Sequence, residues 1–332
     1  MSKRPPSAED DFVARLIRPL AGEGAFNLED DAALLVPPRG HDLVLKTDAI
    51  VMGVHSFPDD PPDLVARKAL RMNLSDLAGK GAKPLGFLLT LALPRNPDQA
   101  WLAHFFEGLA EDSKSFACPL LGGDTTRTTG PFSASIIIIG AARRGRMPTR
   151  LDARAGDLIA VTGTIGDAAL GLFQRLEPER AALWGLSADE HEHLASRYML
   201  PQPRNVLAAT IARHARAAMD ISDGLVLDLE RLCRASGLSA RLDADGVPLS
   251  PAARKALGTD QALLGTILAG GDDYELLVTL PRDSWGSFSA ECEAKGVAAT
   301  LIGETLSGEA GRVSVMASGR ELALEQSGFS HL

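Results

Sequence analysis

The sequence predicts a two-domain protein of the α/β (α+β) class, with strands and helices in both halves. Its 332 residues exceed the roughly 100–200 residues of one ordinary domain. Short apolar runs of strand length alternate with segments of helical periodicity along the chain. Residues 143–157, RRGRMPTRLDARAGD, interrupt this alternation with a basic segment that contains glycine. We therefore expect an N-terminal domain over residues 1–148 and a C-terminal domain over residues 149–332.

The first half carries the signals of three helices and three strands. Asp60 can cap a helix with prolines in its first turn, and Gly79 marks the end of that helix. The segment LLGGDTTR, residues 120–127, separates the last two predicted elements. These elements are a helix over about 11–20, a strand over 43–48, a helix over 61–79, a strand over 85–93, a helix from 97 to about 116 and a strand over 133–142.

A second α/β pattern follows the basic segment. Residues 158–163, LIAVTG, predict a strand, and a helix is expected to begin near Asp167. Residues 201–218 predict another helix. The segment MDISDGLVLDLERLCRASG, residues 219–237, is typical of a loop that enters a helix. The segment AGGDDYELLVTL, residues 269–280, is typical of a loop that leads into a strand.

Composition excludes several classes of protein. The net charge of −9 and the isoelectric point of about 5.3 exclude a basic protein that binds nucleic acid through its phosphates. A hydrophobic fraction of 45% excludes a disordered chain. The cysteines, Cys118, Cys233 and Cys292, form no C-x-x-C pair, which favours a reducing, cytoplasmic compartment. No apolar stretch approaches the roughly 20 residues of a membrane span, so we expect neither membrane insertion nor secretion.

Aspartates recur at predicted strand ends, beside glycines and next to apolar runs. A single aspartate is most often a solvated surface residue or a helix cap. Gathered at a buried edge, however, many carboxylates repel one another unless cations neutralise them. Hard oxygen ligands without a histidine or cysteine cluster favour magnesium over zinc. The aspartates in question are Asp30, Asp31, Asp48, Asp76, Asp124, Asp220, Asp223, Asp272 and Asp273.

Glycines and hydroxyl residues lie beside these acids, at residues 122–126, 163–166, 222–224 and 270–271. Each glycine can mark a tight turn, or it can let backbone amides approach a phosphate closely. The adjacent acids and hydroxyls favour the second interpretation. Neither a G-x-x-x-x-G-K-[ST] loop nor a G-x-G-x-x-G fingerprint is present, so phosphate binding must rest on another scaffold.

Six segments of the chain occur in a characteristic order. They are KTDAIVMGVHSF (46–57), RMNLSDLAGKGAKP (71–84), LLGGDTTR (120–127), VTGTIGDAALGL (161–172), MDISDGLVLDL (219–229) and AGGDDYELL (269–277). In this combination the sequence resembles the thiamine-monophosphate kinase family, which belongs to the superfamily of aminoimidazole ribonucleotide synthase. The resemblance runs from about residue 30 over nearly the whole chain, and NLSDLA with GGDTTR and DISDGL is a specific combination.

The resemblance implies an aminoimidazole ribonucleotide synthase-like fold and a homodimer whose N-terminal sheet domains pair. It implies ATP-dependent phosphorylation of thiamine monophosphate to thiamine diphosphate, with ATP as co-substrate and several magnesium ions. The implied metal ligands are Asp31, Thr47, Asp48, Asp76, Asp124, Asp220 and Asp223. The implied contacts to ATP are Gly123, Asp124, Arg150 and Ser222, and those to thiamine monophosphate are His55 and Asp272.

Four positions depart from the family pattern. Glu29 replaces the glycine of a usual G-D-D, and Asp272 replaces a glutamate. Lys46 stands where a serine on the metal side is common, so this position keeps a metal ligand only if the ligand is a backbone carbonyl. Gln326 takes the place of an aromatic residue that stacks on the substrate, which leaves Phe329 as the candidate substitute.

The expected chemistry is direct in-line attack of the substrate's phosphate oxygen on the γ-phosphorus of ATP, without a covalent nucleophile from the protein. The attacking oxygen is already anionic, so magnesium rather than a general base must overcome the repulsion between two polyanions. Trp101 and Phe116 are expected in the core. Two alternatives stay open: another ATP-using synthase of the same superfamily, and a non-catalytic regulator that binds nucleotide or metal.

Overall fold

A computed structural model describes residues 7–324 and 326–328, and these residues form two compact units. Unit 1 comprises residues 7–74 and 83–141, and unit 2 comprises residues 75–82 and the described residues from 142 onward. Phe329, the candidate for stacking on the substrate, lies outside the described residues. Within the described parts of the chain, no helix is long and apolar enough to cross a membrane.

Unit 1 contains a four-stranded sheet in the order β1-β4-β2-β3. Strand β2 pairs in parallel with β3 and antiparallel with β4. The apolar run predicted over 85–93 is the centre of this sheet, and Phe87, Leu89 and Leu91 on one of its faces are buried. The strands are β1 (His41–Val51), β2 (Lys83–Leu93), β3 (Leu120–Arg127) and β4 (Ser133–Arg143).

Three helices accompany this sheet: α1 (Ala8–Phe12), α2 (Pro62–Gly79) and α3 (Gln99–Ser115). The segment predicted as one helix over 11–20 is helical, but it passes from α1 through a π-helix, Val13–Ile17, into a 3₁₀ turn, Arg18–Leu20. Asp112 of α3 is fully buried and accepts hydrogen bonds from Arg71 Nε at 2.5 Å and Arg67 Nε at 3.1 Å. These bonds tie α3 to α2.

Trp101 of α3 and Phe116, which follows α3, pack on neighbouring residues but are only partly buried, so the prediction that they lie in the core holds only in part. Trp101 lies 5.4 Å from Phe105 and 4.7 Å from Phe132 between ring centroids. Phe116 is half-buried, and the guanidinium of Arg71 lies 5.4 Å from its ring centroid. Both predicted core aromatics therefore have partners within unit 1.

The segment LLGGDTTR is strand β3 rather than a loop between elements. Gly123 lies on this strand, and a Cβ there would stand 1.8 Å from the carbonyl oxygen of Leu89 on β2. No side chain fits such a close approach of two backbones, so glycine is required at this position. The glycine that the pattern associated with phosphate binding therefore has a packing reason of its own.

Unit 2 contains a seven-stranded mixed sheet in the order β11-β10-β7-β9-β5-β8-β6. The interior strand β5 is buried on both faces: Ile159 and Val161 enter one core cluster and Ala160 enters another. The strands are β5 (Leu158–Thr162), β6 (Ala217–Asp220), β7 (Ser239–Asp243), β8 (Leu276–Leu280), β9 (Ala299–Leu306), β10 (Val313–Ala317) and β11 (Arg320–Glu321).

The helices of unit 2 pack on this sheet and on one another. Those that carry residues of the candidate site are α4, α6 and α8. The described helices are α4 (Asp167–Leu176), α5 (Pro178–Ala181), α6 (Ala188–Met199), α7 (Ala208–His214), α8 (Leu225–Ser236), α9 (Pro251–Thr259), α10 (Leu263–Ala269) and α11 (Trp285–Glu293). A two-domain fold with strands and helices in both units confirms the predicted α/β class.

One predicted helix is wrong at both ends. The prediction covered residues 201–218, whereas the helix α7 covers only Ala208–His214 and follows a short 3₁₀ turn, Asn205–Leu207. Residues 217–220 instead form β6, which pairs antiparallel with β8 from Ala217 opposite Thr279. Pairing within the sheet overrides the helix propensity of an alanine-containing segment.

Candidate active site

Strand β1 places Lys46 and Asp48 on one face and Thr47 on the other, because side chains alternate along a strand. Lys46 Nζ lies 3.3 Å from Asp48 Oδ2. The backbone N–H of Asp48 donates to Oδ1 of buried Asn73 at 3.0 Å, and Asn73 Nδ2 donates to the carbonyl of Ala69 at 3.0 Å. Asn73 thus fixes the strand at Asp48. Sequence reasoning missed this role, although an amide within the buried part of α2 is a visible signal.

The ammonium group of Lys46 carries no lone pair for a metal. Position 46 can therefore offer a cation only its backbone carbonyl, while its side chain offsets part of the charge of Asp48. Thr47 points to the opposite face, so one ion cannot take the side chains of Thr47 and Asp48 together.

The acidic loop before β1 turns without the family glycine. Glu29, which replaces that glycine, adopts φ −101° and ψ −7°, a conformation open to any L-residue. The backbone N–H of Ala32 donates to Asp30 Oδ1 at 3.3 Å, which helps to shape the turn. Asp31 is exposed next to it. The substitution of glycine by Glu29 therefore does not prevent the loop from presenting Asp31.

Asp124 is exposed on β3, which is an edge strand of the sheet. Its neighbour in the register is Thr90 of β2. Because an exposed side chain on an edge strand contributes little to packing, the carboxylate of Asp124 is available for a ligand at low structural cost.

His55 closes a tight turn after β1. Its Nδ1 accepts a hydrogen bond from the backbone N–H of Val51 at 3.0 Å, and its own backbone N–H donates to the carbonyl of Val51 at 2.9 Å. With Nδ1 acting as an acceptor, the proton of a neutral imidazole resides on Nε2. His55 therefore stabilises the turn after β1 through two hydrogen bonds to Val51, and these bonds fix the orientation of its ring.

In unit 2, the segment DISDG forms a loop between β6 and α8. Asp220 ends β6 and is almost fully buried, whereas Asp223 is partly exposed. Buried Asp228, one turn into α8, accepts hydrogen bonds from the backbone N–H groups of Ser222 and Asp223, both at 3.0 Å. Arg231 donates to the carboxylates of both Asp223 and Asp228. The loop is thus held by its own helix.

Asp228 was not among the predicted site residues. Burial raises its pKa to about 6, the two backbone N–H donors oppose this rise, and the charges of Asp223 and Asp220 add to it. Three carboxylates therefore lie close enough for their charges to interact, and the guanidinium of Arg231 pairs with two of them, Asp223 and Asp228. In the sequence, Asp228 is visible as an aspartate five residues after Asp223 in DISDGLVLD. A side chain in the first turn of a helix can reach back to the loop before it.

The loop before β8 carries Asp272 beside the DISDG loop. The backbone N–H of Asp272 donates to the carbonyl of Ser222 at 2.8 Å, and that of Tyr274 donates to the carbonyl of Ile221 at 2.8 Å. The predicted ATP contact Ser222 and the predicted substrate contact Asp272 are therefore neighbours within unit 2.

A buried ionic network lies under the same loop, and sequence reasoning missed it. Glu275 is fully buried and accepts hydrogen bonds from Arg204, from Arg197 Nη2 at 3.0 Å and from Thr162 Oγ1 at 2.7 Å. Gly163 adopts φ +59°, and a Cβ there would stand 2.1 Å from Glu275 Oε1. Gly163, the first glycine of GTIG, is therefore required for two reasons: its backbone is left-handed, and a side chain would clash with Glu275. Both reasons favour the interpretation that this glycine marks a tight turn.

Asp167, the first residue of α4, organises the other end of GTIG. It accepts hydrogen bonds from Ser250 Oγ at 2.5 Å, Thr164 Oγ1 at 2.6 Å and His193 Nε2 at 3.2 Å. Burial works against the charged form, but these three bonds outweigh it and lower the pKa of Asp167. The hydrogen bond to Asp167 raises the pKa of His193 in turn.

Arg150 is exposed at the start of unit 2, and its carbonyl accepts a hydrogen bond from Ser236 Oγ at 2.6 Å at the end of α8. Its backbone is therefore anchored while its guanidinium faces solvent. This placement is compatible with a contact to an anionic ligand, and it agrees equally with a solvated surface arginine.

Asp76 lies on the last turns of α2, in the part that belongs to unit 2. Gly79, one turn later, packs so closely on β6 that a Cβ would stand 3.1 Å from the backbone nitrogen of Asp220. Lys80 Nζ donates to the carbonyl of Ala218 at 2.6 Å. These contacts bring the turn that carries Asp76 beside the strand that ends in Asp220.

Across the described residues, no group of three His, Cys, Asp or Glu side chains is arranged to hold a metal ion by itself. Magnesium does not require such a group, because it commonly uses one or two carboxylates and completes its shell with water and substrate phosphates. The donor set, carboxylates without thiolates, suits this hard cation. The chemistry of these residues therefore fits magnesium.

Comparison with known proteins first defines the class. Residues 29–142 match the N-terminal domain of AIR synthase related proteins, and residues 154–316 match the C-terminal domain of the same proteins. Together these two matches cover most of the chain. The chain is therefore an AIR synthase related protein, with both domains in the usual order.

Individual relatives narrow the class. A thiamine-monophosphate kinase from Caulobacter vibrioides is 41% identical over 98% of this chain and 91% of the relative. The crystal structure of thiamine-monophosphate kinase from Stenotrophomonas maltophilia K279a superposes with a TM-score of 0.82 at 35% identity, covering 95% of this chain and 98% of that one. AaThiL complexed with AMPPCP and TMP gives a TM-score of 0.77 at 29% identity over 91% of both chains. The chain belongs to the thiamine-monophosphate kinase family.

Proposed function

We propose that this protein transfers the γ-phosphoryl group of ATP to thiamine monophosphate and so forms thiamine diphosphate. The observation that carries the proposal is the fixed shape of the DISDG loop. The backbone N–H groups of Ser222 and Asp223 each donate a hydrogen bond of 3.0 Å to the buried carboxylate of Asp228. A loop that concentrates negative charge in a fixed shape suits cation-assisted phosphate binding better than packing. The curated relative described above is a thiamine-monophosphate kinase, and a solved structure holds AaThiL complexed with AMPPCP and TMP, which supports the same substrates here.

Magnesium would supply charge neutralisation and Lewis acidity in this reaction. The proposed ligands in unit 1 are Asp31, Asp48 and Asp124, with Thr47 contributing through its backbone carbonyl. The proposed ligands in unit 2 are Asp76, Asp220 and Asp223. Lys46 and Arg231 offset part of the charge of Asp48 and Asp223.

The remaining residues bind and orient the two substrates in this proposal. Gly123, Arg150 and Ser222 contact ATP, and His55 and Asp272 contact thiamine monophosphate. No side chain acts as a covalent nucleophile, because the phosphate oxygen of the substrate attacks the γ-phosphorus directly. The protein contributes position and electrostatic stabilisation, which are the main needs of phosphoryl transfer.

A homodimer completes the proposal. The less buried face of the unit 1 sheet exposes three aliphatic side chains on adjacent strands: Leu43 and Leu45 on β1, with 40% and 65% of their surface exposed, and Ile137 on β4, with 39% exposed. Aliphatic residues side by side on an open sheet face favour burial against another surface. A second copy of the same sheet is the proposed partner, as the resemblance implies.

The three cysteines are buried and free, which agrees with the cytoplasmic compartment predicted from the sequence.

A comparison of acceptors tests the substrate. ADP release is measured with magnesium and ATP in the presence of thiamine monophosphate, thiamine, or an aminoimidazole-pathway intermediate, and the organic products are separated by chromatography. Of the three acceptors, we expect only thiamine monophosphate to support turnover, with ADP and thiamine diphosphate formed in equal amounts. ADP release with only the aminoimidazole compound would instead favour a synthase, and the absence of turnover with all three would favour a regulator.

A further inference from the structure

The loop that carries Asp272 has an unusual backbone. Gly271, Asp272 and Tyr274 adopt φ angles of +75°, +60° and +50°, all in the left-handed region. Glycine tolerates this region, but a tyrosine rarely occupies it. Such a conformation persists only where the surroundings determine it, and it is concentrated at functional sites.

The surroundings do determine it on the backbone side. The N–H of Asp272 and the N–H of Tyr274 donate to the carbonyls of Ser222 and Ile221, both at 2.8 Å, and the N–H of Ile221 donates back to the carbonyl of Glu275 at 2.8 Å. The two loops are thus joined along their length. Any displacement of the loop at Asp272 must move the DISDG loop as well.

Side chains complete the support from below. Asp273 is 1% exposed, and its Oδ1 accepts a hydrogen bond from the backbone N–H of Gly166 at 2.9 Å. Arg197 Nη2 donates to the carbonyl of Asp273 at 3.2 Å. The ring of Tyr274, which follows, is 3% exposed. Asp273 and Tyr274 therefore face the interior, while Asp272, which precedes them, remains partly exposed.

The hydroxyl of Tyr274 returns to the exposed residue. It donates to Asp272 Oδ1 at 3.1 Å. Because the ring is buried and its backbone is held on both sides, this hydroxyl is a fixed donor, whereas an aspartate side chain alone could rotate. The donor and the acceptor lie two residues apart on this left-handed loop.

We propose that Tyr274 is a positioning residue for substrate recognition: its buried hydroxyl fixes the carboxylate of Asp272 in the orientation that meets thiamine monophosphate. The assignment rests on the proposed function, because only that function makes thiamine monophosphate the ligand of Asp272. It also gives a reason why a residue shorter than the family's glutamate can serve at this position, because a donor on the same loop supports it.

The substitution Tyr274→Phe removes this hydroxyl and keeps the buried ring. We expect the KM for thiamine monophosphate to rise about tenfold, as the loss of a hydrogen bond to a charged group predicts, with kcat and the KM for ATP within about twofold of wild type. The control is Tyr198→Phe, the same chemical change at the other tyrosine of the chain, which lies on α6 and packs against Gly171. We expect wild-type kinetics from this control.

A double-mutant cycle separates positioning from a general effect on the fold. In an Asp272→Ala background, Tyr274→Phe should cause no further rise in KM, because the residue through which it acts is gone. An equal rise in both backgrounds, or a wild-type KM in Tyr274→Phe alone, would overturn the assignment while leaving the proposed function intact. A wild-type protein that forms no thiamine diphosphate would overturn the proposed function, and the substrate role of Asp272 with it.

Discussion

Asp228 accepts a hydrogen bond from the backbone N–H of Asp223 at 3.0 Å, with its carboxylate fully buried at the first turn of α8. This contact couples a residue of the interior to a partly exposed carboxylate of the candidate site. The same carboxylate also accepts the N–H of Ser222 at 3.0 Å. The shape of the acidic loop is therefore set from within the helix that follows it.

Replacement of Asp228 by alanine should disable the loop. Asp228→Ala leaves two backbone donors without their acceptor, so we expect kcat/KM to fall about tenfold to a hundredfold. Asp228→Asn retains a carbonyl acceptor and should lose less. Steady-state kinetics at saturating magnesium compare the three proteins. Wild-type kcat/KM in the alanine variant would show that the loop does not depend on this carboxylate.

Asp124 offers a test of a proposed metal ligand with little structural cost. Because its side chain is exposed on the edge strand β3, Asp124→Asn should leave the circular dichroism spectrum and the melting temperature unchanged. We expect turnover to drop at least about a hundredfold, since an amide cannot replace the charge that binds magnesium. The matched control is Asp189→Asn, a change at an exposed residue of α6, with wild-type turnover expected. An active Asp124→Asn enzyme would remove this residue from the metal set.

The buried network at Glu275 should govern stability. Glu275→Gln leaves the guanidinium groups of Arg197 and Arg204 without their counter-charge, so we expect the free energy of unfolding to fall by about 3 kcal/mol. Glu304 is the matched control, because it also pairs with two arginines, Arg241 and Arg282, but at the surface. Urea denaturation of Glu304→Gln should show a loss of about 1 kcal/mol or less. Equal losses in the two variants would contradict the importance of burial.

Acid should weaken the contact between α7 and α11. Hydrogen bonds from His214, Arg213 and Thr210 lower the pKa of Glu291 to about 2, although partial burial opposes this. A depressed pKa contributes stability above the ordinary value near 4.5, and this contribution disappears as the pH falls from about 4.5 towards 2. The melting temperature of Glu291→Gln should therefore lie below wild type at pH 7 by about 2 °C, and the difference should shrink by pH 3.

The control for this pH series is Glu293→Gln, an exposed residue on the same helix. Its melting temperature should track wild type at both pH values. A difference between Glu291→Gln and wild type that does not change between pH 7 and pH 3 would contradict the assigned titration.

The proposed dimer depends on an exposed aliphatic face. Leu45→Glu places a charge on that face at its most exposed aliphatic residue, so analytical ultracentrifugation should detect a monomer. Leu183→Glu is the control, because Leu183 is 74% exposed and belongs to unit 2, so it is not part of the unit 1 sheet. A Leu45→Glu protein that sediments like wild type would contradict the proposed interface.

The sequence predicted the helices and strands whose signals are local. The apolar run over 85–93 and the prolines before α2 led to correct elements, since each depends on residues within the element. The strand β6 was missed because only pairing with β8 distinguishes it from the end of a helix. β3 was missed because its two glycines resemble a loop until the close approach to Leu89 is visible.

In the candidate site, too, the sequence predicted residues that stand in local motifs and missed the residues that support them. Motif spacing predicted the aspartates of the DISDG loop and Asp272 as candidates, because these residues stand in recognisable segments. It did not identify Asp228 or Asn73, whose hydrogen bonds to backbone N–H groups hold those segments in place. Supporting residues have no fixed chemistry of their own, so only the folded chain assigns their role.

The most direct test of direct phosphoryl transfer is a single-turnover quench with [γ-³²P]ATP, magnesium, thiamine monophosphate and enzyme in excess. The label should pass into thiamine diphosphate in one phase, with none retained on the denatured protein and none formed when EDTA replaces magnesium. A labelled protein, or label released as inorganic phosphate without thiamine diphosphate, would contradict direct transfer to this substrate.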